Sequence, residues 1–168
     1  MENREDQALK KSLKRVLIVD DEPDILETLE ELLDDFIVDA SSSFENAVKF
    51  LRNNTYDVAV LDIMGVRGYD LLEITHKLDI PTLMFTAHAL SPANLKKSIK
   101  LGADAYIPKD KLVDIILYIE DVLNARQKRV KAGATWFASL KPFFDKFFGK
   151  EWQDPEKDFW DDFDKKNQ

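Results

Sequence analysis

Val16-Leu17-Ile18-Val19-Asp20-Asp21-Glu22-Pro23 runs from four apolar residues straight into three acids and a proline. A short, β-branched apolar run of this kind reads as a strand buried on both faces. Pro23 suits the first turn of a helix, and Ile25, Leu26, Leu29, Leu32, Leu33 and Phe36 then recur at helical spacing. The same alternation continues down the chain. Residues 36–40 read as a second strand, and Ser41-Ser42-Ser43 offers N-caps for a helix bearing Ala47, Val48 and Leu51. Val58-Ala59-Val60-Leu61 is a third strand and also ends in an acid, Asp62. A looser segment with Gly65 and Gly68 precedes a helix over about 70–78. Residues 81–85 read as a fourth strand ending at Thr86. Ser91-Pro92 starts the next helix, and Gly102 stops it. Ala105-Tyr106-Ile107 is a fifth strand leading to Lys109, and the apolar positions from Leu112 to Leu123 mark a fifth helix. Five βα units in about 110 residues imply an α/β fold: a doubly wound, five-stranded parallel sheet covered on both faces by helices.

Asp20, Asp21, Asp62, Thr86 and Lys109 all fall at the carboxyl ends of these strands. In an open doubly wound sheet that edge is where sites form, so residues spread over 90 positions converge there. Three carboxylates held close repel one another unless a cation compensates. With oxygen ligands alone, Mg²⁺ is the natural cation. Lys109 adds a fixed positive charge and Thr86 a hydroxyl donor. Together these groups form a cradle for a phosphoryl group, and a carboxylate at its centre can act as nucleophile to form an acyl phosphate.

Composition narrows the function classes. The 168 residues include no cysteine, which excludes disulfide scaffolds, zinc–thiolate sites and thiol nucleophiles. Two histidines make no histidine-rich metal site. The formal charge of −8 argues against a nucleic-acid binder along the whole chain. That charge is unevenly spread: residues 15–125 carry 10 basic and 21 acidic side chains, residues 126–150 are net +6, and residues 151–168 are net −4. The blocks suggest a charged N-terminal segment (1–14), a domain (15–125) and a tail (126–168). No apolar run approaches the roughly 18 residues needed to span a bilayer. Residues 1–14 have no apolar signal-peptide core, so a soluble intracellular protein is expected.

The stretches Val16-Leu17-Ile18-Val19-Asp20-Asp21-Glu22-Pro23, Tyr56-Asp57-Val58-Ala59-Val60-Leu61-Asp62-Ile63-Met64, Phe85-Thr86-Ala87 and Gly102-Ala103-Asp104-Ala105-Tyr106-Ile107-Pro108-Lys109, in that order, resemble two-component response-regulator receiver (CheY-like) domains. The likeness covers roughly residues 14–125 and implies a flavodoxin-like fold. It implies Asp62 as phospho-acceptor, Asp21 as a direct Mg²⁺ ligand, Asp20 as a ligand mainly through water, and the Met64 backbone carbonyl as a further ligand. Thr86 would hydrogen-bond a phosphoryl oxygen and Lys109 would pair with it. Thr86 and Tyr106 match the family's activation switch. The implied partner is a histidine kinase or a histidine phosphotransfer protein, in a cytoplasmic signalling protein that catalyses only its own phosphorylation and dephosphorylation. The chain departs from the family pattern at Val66 and Asp110, where prolines are usual, and its loop after Asp62 is about two residues shorter. The loop geometry beside Asp62 is therefore expected to differ, and the Lys109–Asp110 bond to be trans or strained. These departures keep a second reading in play, a degenerate receiver serving as a non-phosphorylated interaction scaffold. An aspartyl phosphatase would place a second acid two positions after its nucleophile, where Met64 stands.

The tail holds ten of the 18 aromatic residues, including all three tryptophans. Its 43 residues are too few for a winged-helix output domain and show no helix-turn-helix pattern, so no direct DNA binding is expected. Trp136, Leu140, Phe143, Phe144, Phe147 and Phe148 form a wide apolar helical stripe. Pro142 is expected to begin that helix and Gly149 to end it. Asp154-Pro155-Glu156 starts a second helix, with Phe159, Trp160 and Phe163 on one face and Trp152 between the two helices. An isolated helix of this length is marginal in water, so the stripe must be buried. Three partners are open: the receiver in cis, a second copy or partner protein, and, least expected, a membrane surface met by Lys141, Lys146 and Lys150.

Overall fold

β1 (Arg15–Val19), β2 (Ile37–Ser41), β3 (Val58–Leu61), β4 (Thr82–Thr86) and β5 (Ala105–Pro108) form one parallel sheet in the order β2-β1-β3-β4-β5. This computed structural model describes residues 13–130 and 133–167, so all but the last two residues of the 1–14 segment lie outside the described residues. The connecting helices are α1 (Pro23–Leu32), α2 (Phe44–Asn53), α3 (Gly68–Lys77) and α4 (Pro92–Lys100). After β5 come a 3₁₀ segment (Lys109–Asp114) and α5 (Ile115–Gln127). The tail consists of α6 (Gly133–Phe148), a 3₁₀ turn (Asp154–Glu156) and α7 (Lys157–Lys166). Among the described residues no helix is long and apolar enough to cross a membrane.

The helix starts follow the capping residues. Ser43 accepts a hydrogen bond from the Asn46 N–H (3.2 Å), and Ser91 accepts one from the Asn94 N–H (3.1 Å). Pro23 and Pro92 occupy first-turn positions, where a missing N–H is harmless.

The order of strands reverses between β1 and β3, which lie side by side with Val19 opposite Leu61. Asp20 and Asp62, the next residue of each, therefore emerge together, and the Asp62 N–H still donates to the Val19 carbonyl at 2.9 Å. On the far side of β4, Thr86 stands opposite Pro108, so Lys109 leaves the sheet beside Thr86. Thus the register delivers the polar residues to one edge of the sheet.

The two outer strands differ. Ile37 of β2 is exposed, while all four residues of β5 are buried. β5 owes this to α6, which packs against it and covers an edge that would otherwise offer unpaired backbone groups. α6 corrects one expectation. It begins at Gly133, and Pro142 sits inside it. An interior proline costs about 3 kcal/mol. Trp136, Phe137 and Leu140 before it and Phe144 after it are buried, at about 1.5–3 kcal/mol each. Burial on both sides of Pro142 holds the helix together across it.

The aromatic stripe is satisfied within the chain. Trp136, Leu140, Phe144, Trp152, Trp160 and Phe163 are buried, Phe143, Phe148 and Phe159 are half-buried, and Phe147 is 58% exposed. Phe144 meets Tyr106 of β5 with ring centroids 6.2 Å apart. Phe137, outside the expected stripe, stacks on Trp160 at 5.3 Å and meets Phe163 edge-on at 5.0 Å. The acidic end of the tail faces the basic side of α4, where the Lys96 ammonium lies 2.7 Å from Glu156 and 5.3 Å from the centre of the Phe159 ring.

Candidate functional site

Lys109 closes the cluster at the sheet edge. Its ammonium lies 2.8 Å from Asp20 Oδ2, 3.0 Å from Asp62 Oδ2 and 3.2 Å from Glu22 Oε1. Asp20 and Asp62 are each 2% exposed and Lys109 is 9% exposed, so little water screens these charges. Asp62 Oδ1 accepts the Ile63 N–H at 2.8 Å, and Asp20 Oδ1 accepts the Glu22 N–H at 2.9 Å. Burial pushes the Asp20 carboxyl above its ordinary range, against the pull of Lys109 and the Glu22 N–H, and neighbouring Asp62 adds to the rise. Burial alone would lower the Lys109 ammonium. Asp20 and Asp62 more than offset it and hold the group charged.

Asp20, Asp21, Glu22 and Asp62 each place a carboxylate oxygen so that all four lie within 4.8 Å of one another. Asp20 Oδ2 is paired with Lys109 by charge but is buried without a well-directed hydrogen bond, which leaves a lone pair for a cation. Gly65 (φ +83°) and Gly68 let the following turn close over the cluster: a Cβ on Gly65 would run into the Asp21 carboxylate, and one on Gly68 into the Asp62 backbone carbonyl. An all-oxygen, acidic, closely walled site fits a small hard cation such as Mg²⁺. Gly68→Ala is expected to destabilise the protein by about 1–3 kcal/mol, because the methyl group must push backbone rather than a flexible side chain. Urea denaturation checks this, and a change within about 0.5 kcal/mol would contradict the close approach.

The other expected site residues are also placed. The Met64 side chain is exposed, which leaves only its backbone in question. Thr86 is fully buried at the end of β4, and its Oγ1 accepts the Ala89 N–H at 3.2 Å. Tyr106 is fully buried, donates to the Ala89 carbonyl at 2.7 Å and accepts the Ser91 N–H at 3.2 Å. Burial pushes its phenol well above the ordinary range. Neither residue is hydrogen-bonded to the acid cluster; both are tied to the same loop at Ala89. The shortened segment after Asp62 is a tight turn with Arg67 in the left-handed region (φ +55°) and Val66 buried. Among the described residues no peptide bond is cis, so the Lys109–Asp110 bond is trans.

Two residues join the site or its surroundings without having been singled out. Glu22 pairs with Lys109 and approaches His88 Nε2 at 3.4 Å. The acidic run at 20–22 signalled it, but its position before Pro23 reads equally well as a helix start. Phe137 lies at the centre of the tail's aromatic cluster.

A family model described as "Response regulator receiver domain" matches residues 16–120. Among curated proteins, the chain is similar to the heme response regulator HssR of Staphylococcus saprophyticus, 34% identical over 115 residues, covering 64% of this chain and 50% of that protein. It is also similar to the two-component response regulator ARR18 of Arabidopsis thaliana, 31% identical over 134 residues, covering 76% of this chain and 20% of that protein. The chain spans about half the length, or less, of these curated relatives. Among solved structures, it is similar to a CheY-like response regulator receiver domain protein from Methanospirillum hungatei (TM-score 0.65, 32% identity, 70% of this chain and 99% of that one). The non-phosphorylated HemR receiver domain from Leptospira biflexa is similar as well (TM-score 0.58, 33% identity, 66% of this chain and 94% of that one).

Proposed function

The chain belongs to the response regulator receiver domain family, and on that premise we propose that it accepts a phosphoryl group on Asp62 from a histidine kinase or a histidine phosphotransfer protein in the cytoplasm. The observation that carries this reading is the buried Lys109–Asp62 pair inside a cluster of four carboxylates. In the proposed step a carboxylate oxygen of Asp62 attacks phosphorus. The phosphorus–nitrogen bond to the donor histidine breaks, and its electron pair returns to the imidazole. Asp20, Asp21 and Asp62, with the Met64 backbone carbonyl, would hold Mg²⁺, which supplies positive charge beside the phosphoryl oxygens when bound. Lys109, already preorganised at Asp62, would pair with another of those oxygens at little reorganisation cost.

We assign residues 15–125 to the receiver and 126–168 to an output tail. The Thr86 hydroxyl accepts the Ala89 N–H, so a shift of Thr86 to donate to a phosphoryl oxygen would pull on that loop. Tyr106 is bonded to the same residue, so the movement reaches Tyr106 through the loop. Phe144 rests on the Tyr106 ring and would carry the change into tail docking. Phosphorylation then biases a docked and an undocked tail by its differential contacts with each. Undocking would free the aromatic face for a second copy or a partner protein.

The test is incubation of the full chain with acetyl phosphate and Mg²⁺, followed by intact mass and fragment mapping. One phosphoryl adduct on Asp62 is expected. An unmodified chain would overturn the proposal and favour the scaffold reading.

A further inference from the structure

A cavity of about 580 Å³ lies between α4 and the tail, apart from the acid cluster. Its receiver wall includes Lys96, Lys97 and Lys100 of α4, and its tail wall includes Trp152, Glu156 and Trp160. The two indoles meet edge-on with centroids 5.0 Å apart, so they present faces in different directions. Three lysines and one carboxylate line it: Glu156 pairs with Lys96 at 2.7 Å and is also drawn down by the charge of Lys100. Lys97 rests over the Tyr69 ring at 4.3 Å. Lys100 makes no hydrogen bond or ion pair among the described residues. The cavity is therefore apolar and aromatic with an excess of positive charge, three lysines against one carboxylate, at its edge, a combination typical of small-molecule sites of this volume.

A neighbouring cavity of about 610 Å³ shares Lys100. There Arg126 pairs with Asp104, and Lys166 pairs with Asp162. Its lining charges largely satisfy one another, and it gives an anion less to bind.

We propose that the first cavity binds a small flat aromatic carboxylate, its ring against Trp152 and Trp160 and its carboxylate at Lys100 and Lys97. Receiver and tail each supply one wall, so the ligand binds the docked arrangement only and stabilises it by mass action. The site thus gives the tail a chemical input separate from Asp62.

The probe is 2-naphthoate, titrated into the full chain by calorimetry and by tryptophan fluorescence. The expected result is one saturable site with a Kd below about 1 mM, with contacts to the Trp152 and Trp160 indoles in nuclear Overhauser spectra. Neutral 2-naphthamide is expected to bind at least about tenfold more weakly. The same loss is expected for 2-naphthoate with the Lys97→Glu/Lys100→Glu variant. Both lysines are exposed, so this variant should keep its fold, which circular dichroism checks. Unsaturable binding, equal affinity for the neutral compound, undiminished binding by the charge-reversed variant, or contacts to Phe163 in place of the two indoles would each overturn the proposal.

Discussion

Asp62→Ala is expected to end phosphoryl uptake from acetyl phosphate and Lys109→Met to slow it greatly, yet only Lys109→Met is expected to lower stability strongly. Removing Asp62 takes away the proposed nucleophile, while Lys109 keeps Asp20 at 2.8 Å and Glu22 at 3.2 Å. One fewer like charge faces its neighbours, so the stability change should stay within about 1 kcal/mol. Removing Lys109 instead leaves Asp20 and Asp62, each 2% exposed, without their cation. Breaking a buried pair in this way costs about 3–5 kcal/mol, against a total stability of about 5–15 kcal/mol for a typical domain. The loss of a preorganised charge at the reacting group should also slow uptake by about 10²–10³-fold. The pH dependence separates this from simple misfolding. The Asp20 carboxyl already sits above its ordinary range through burial, and without the ammonium it rises further. A carboxyl raised in the folded state favours folding at low pH, and that support is lost as pH rises through the folded value. The Lys109→Met deficit in urea denaturation, without Mg²⁺, should therefore be larger at about pH 8 than at about pH 5, and added Mg²⁺ should reduce it. Equal deficits at both pH values would exclude uncompensated carboxylates as their cause.

Asp20 and Asp62 were legible because each directly follows an apolar strand, and Asp21 because it stands next to Asp20. A strand is recognisable from a few β-branched residues, and parallel register then brings strand ends together without any knowledge of side-chain packing. Lys109 follows the same logic at the end of β5. Glu22 escaped because a carboxylate before Pro23 serves a helix start as well as it serves a site; only the 3.2 Å approach to Lys109 decides between them. The tail was legible only as a sum. Its stripe announced burial, but the choice of partner is a tertiary matter. Local propensity placed a helix start at Pro142, whereas burial of Trp136, Phe137 and Leu140 upstream keeps the helix going through it. Phe137 was missed because helical spacing describes one contact face, and α6 has two: β5 on one side and α7 on the other, where Phe137 stacks on Trp160. The complete burial of β5, last in the sheet, could not be read from its four residues at all, since α6 supplies the cover.

Phe144→Ala is expected to detach the tail while leaving the sheet folded. Phe144 is fully buried and stands among Tyr106, Phe137, Phe148 and Trp152, with ring centroids at 6.2, 6.2, 5.4 and 6.0 Å. Its truncation should cost about 3–5 kcal/mol, and the cost falls on the junction between α6 and β5 rather than on strand pairing. Docking of a helix that is marginal alone is the cooperative unit with least to lose, so it should open first. All three tryptophans, Trp136, Trp152 and Trp160, lie in the tail and are buried. Intrinsic fluorescence therefore reports tail docking alone, and the variant should show red-shifted emission at temperatures where far-ultraviolet circular dichroism still reports the sheet. Exposure of β5 as a free edge should raise the tendency to self-associate, visible by sedimentation. Phe147→Ala, one turn away on the same helix but 58% exposed, is the control and should change stability by no more than about 0.5 kcal/mol. If Phe144→Ala lowers the fluorescence and dichroism midpoints together, tail and receiver unfold as one unit. Phe144 would then be a core residue of a single domain, and the proposed route from Thr86 through Ala89 and Tyr106 to a releasable tail would lose its last step.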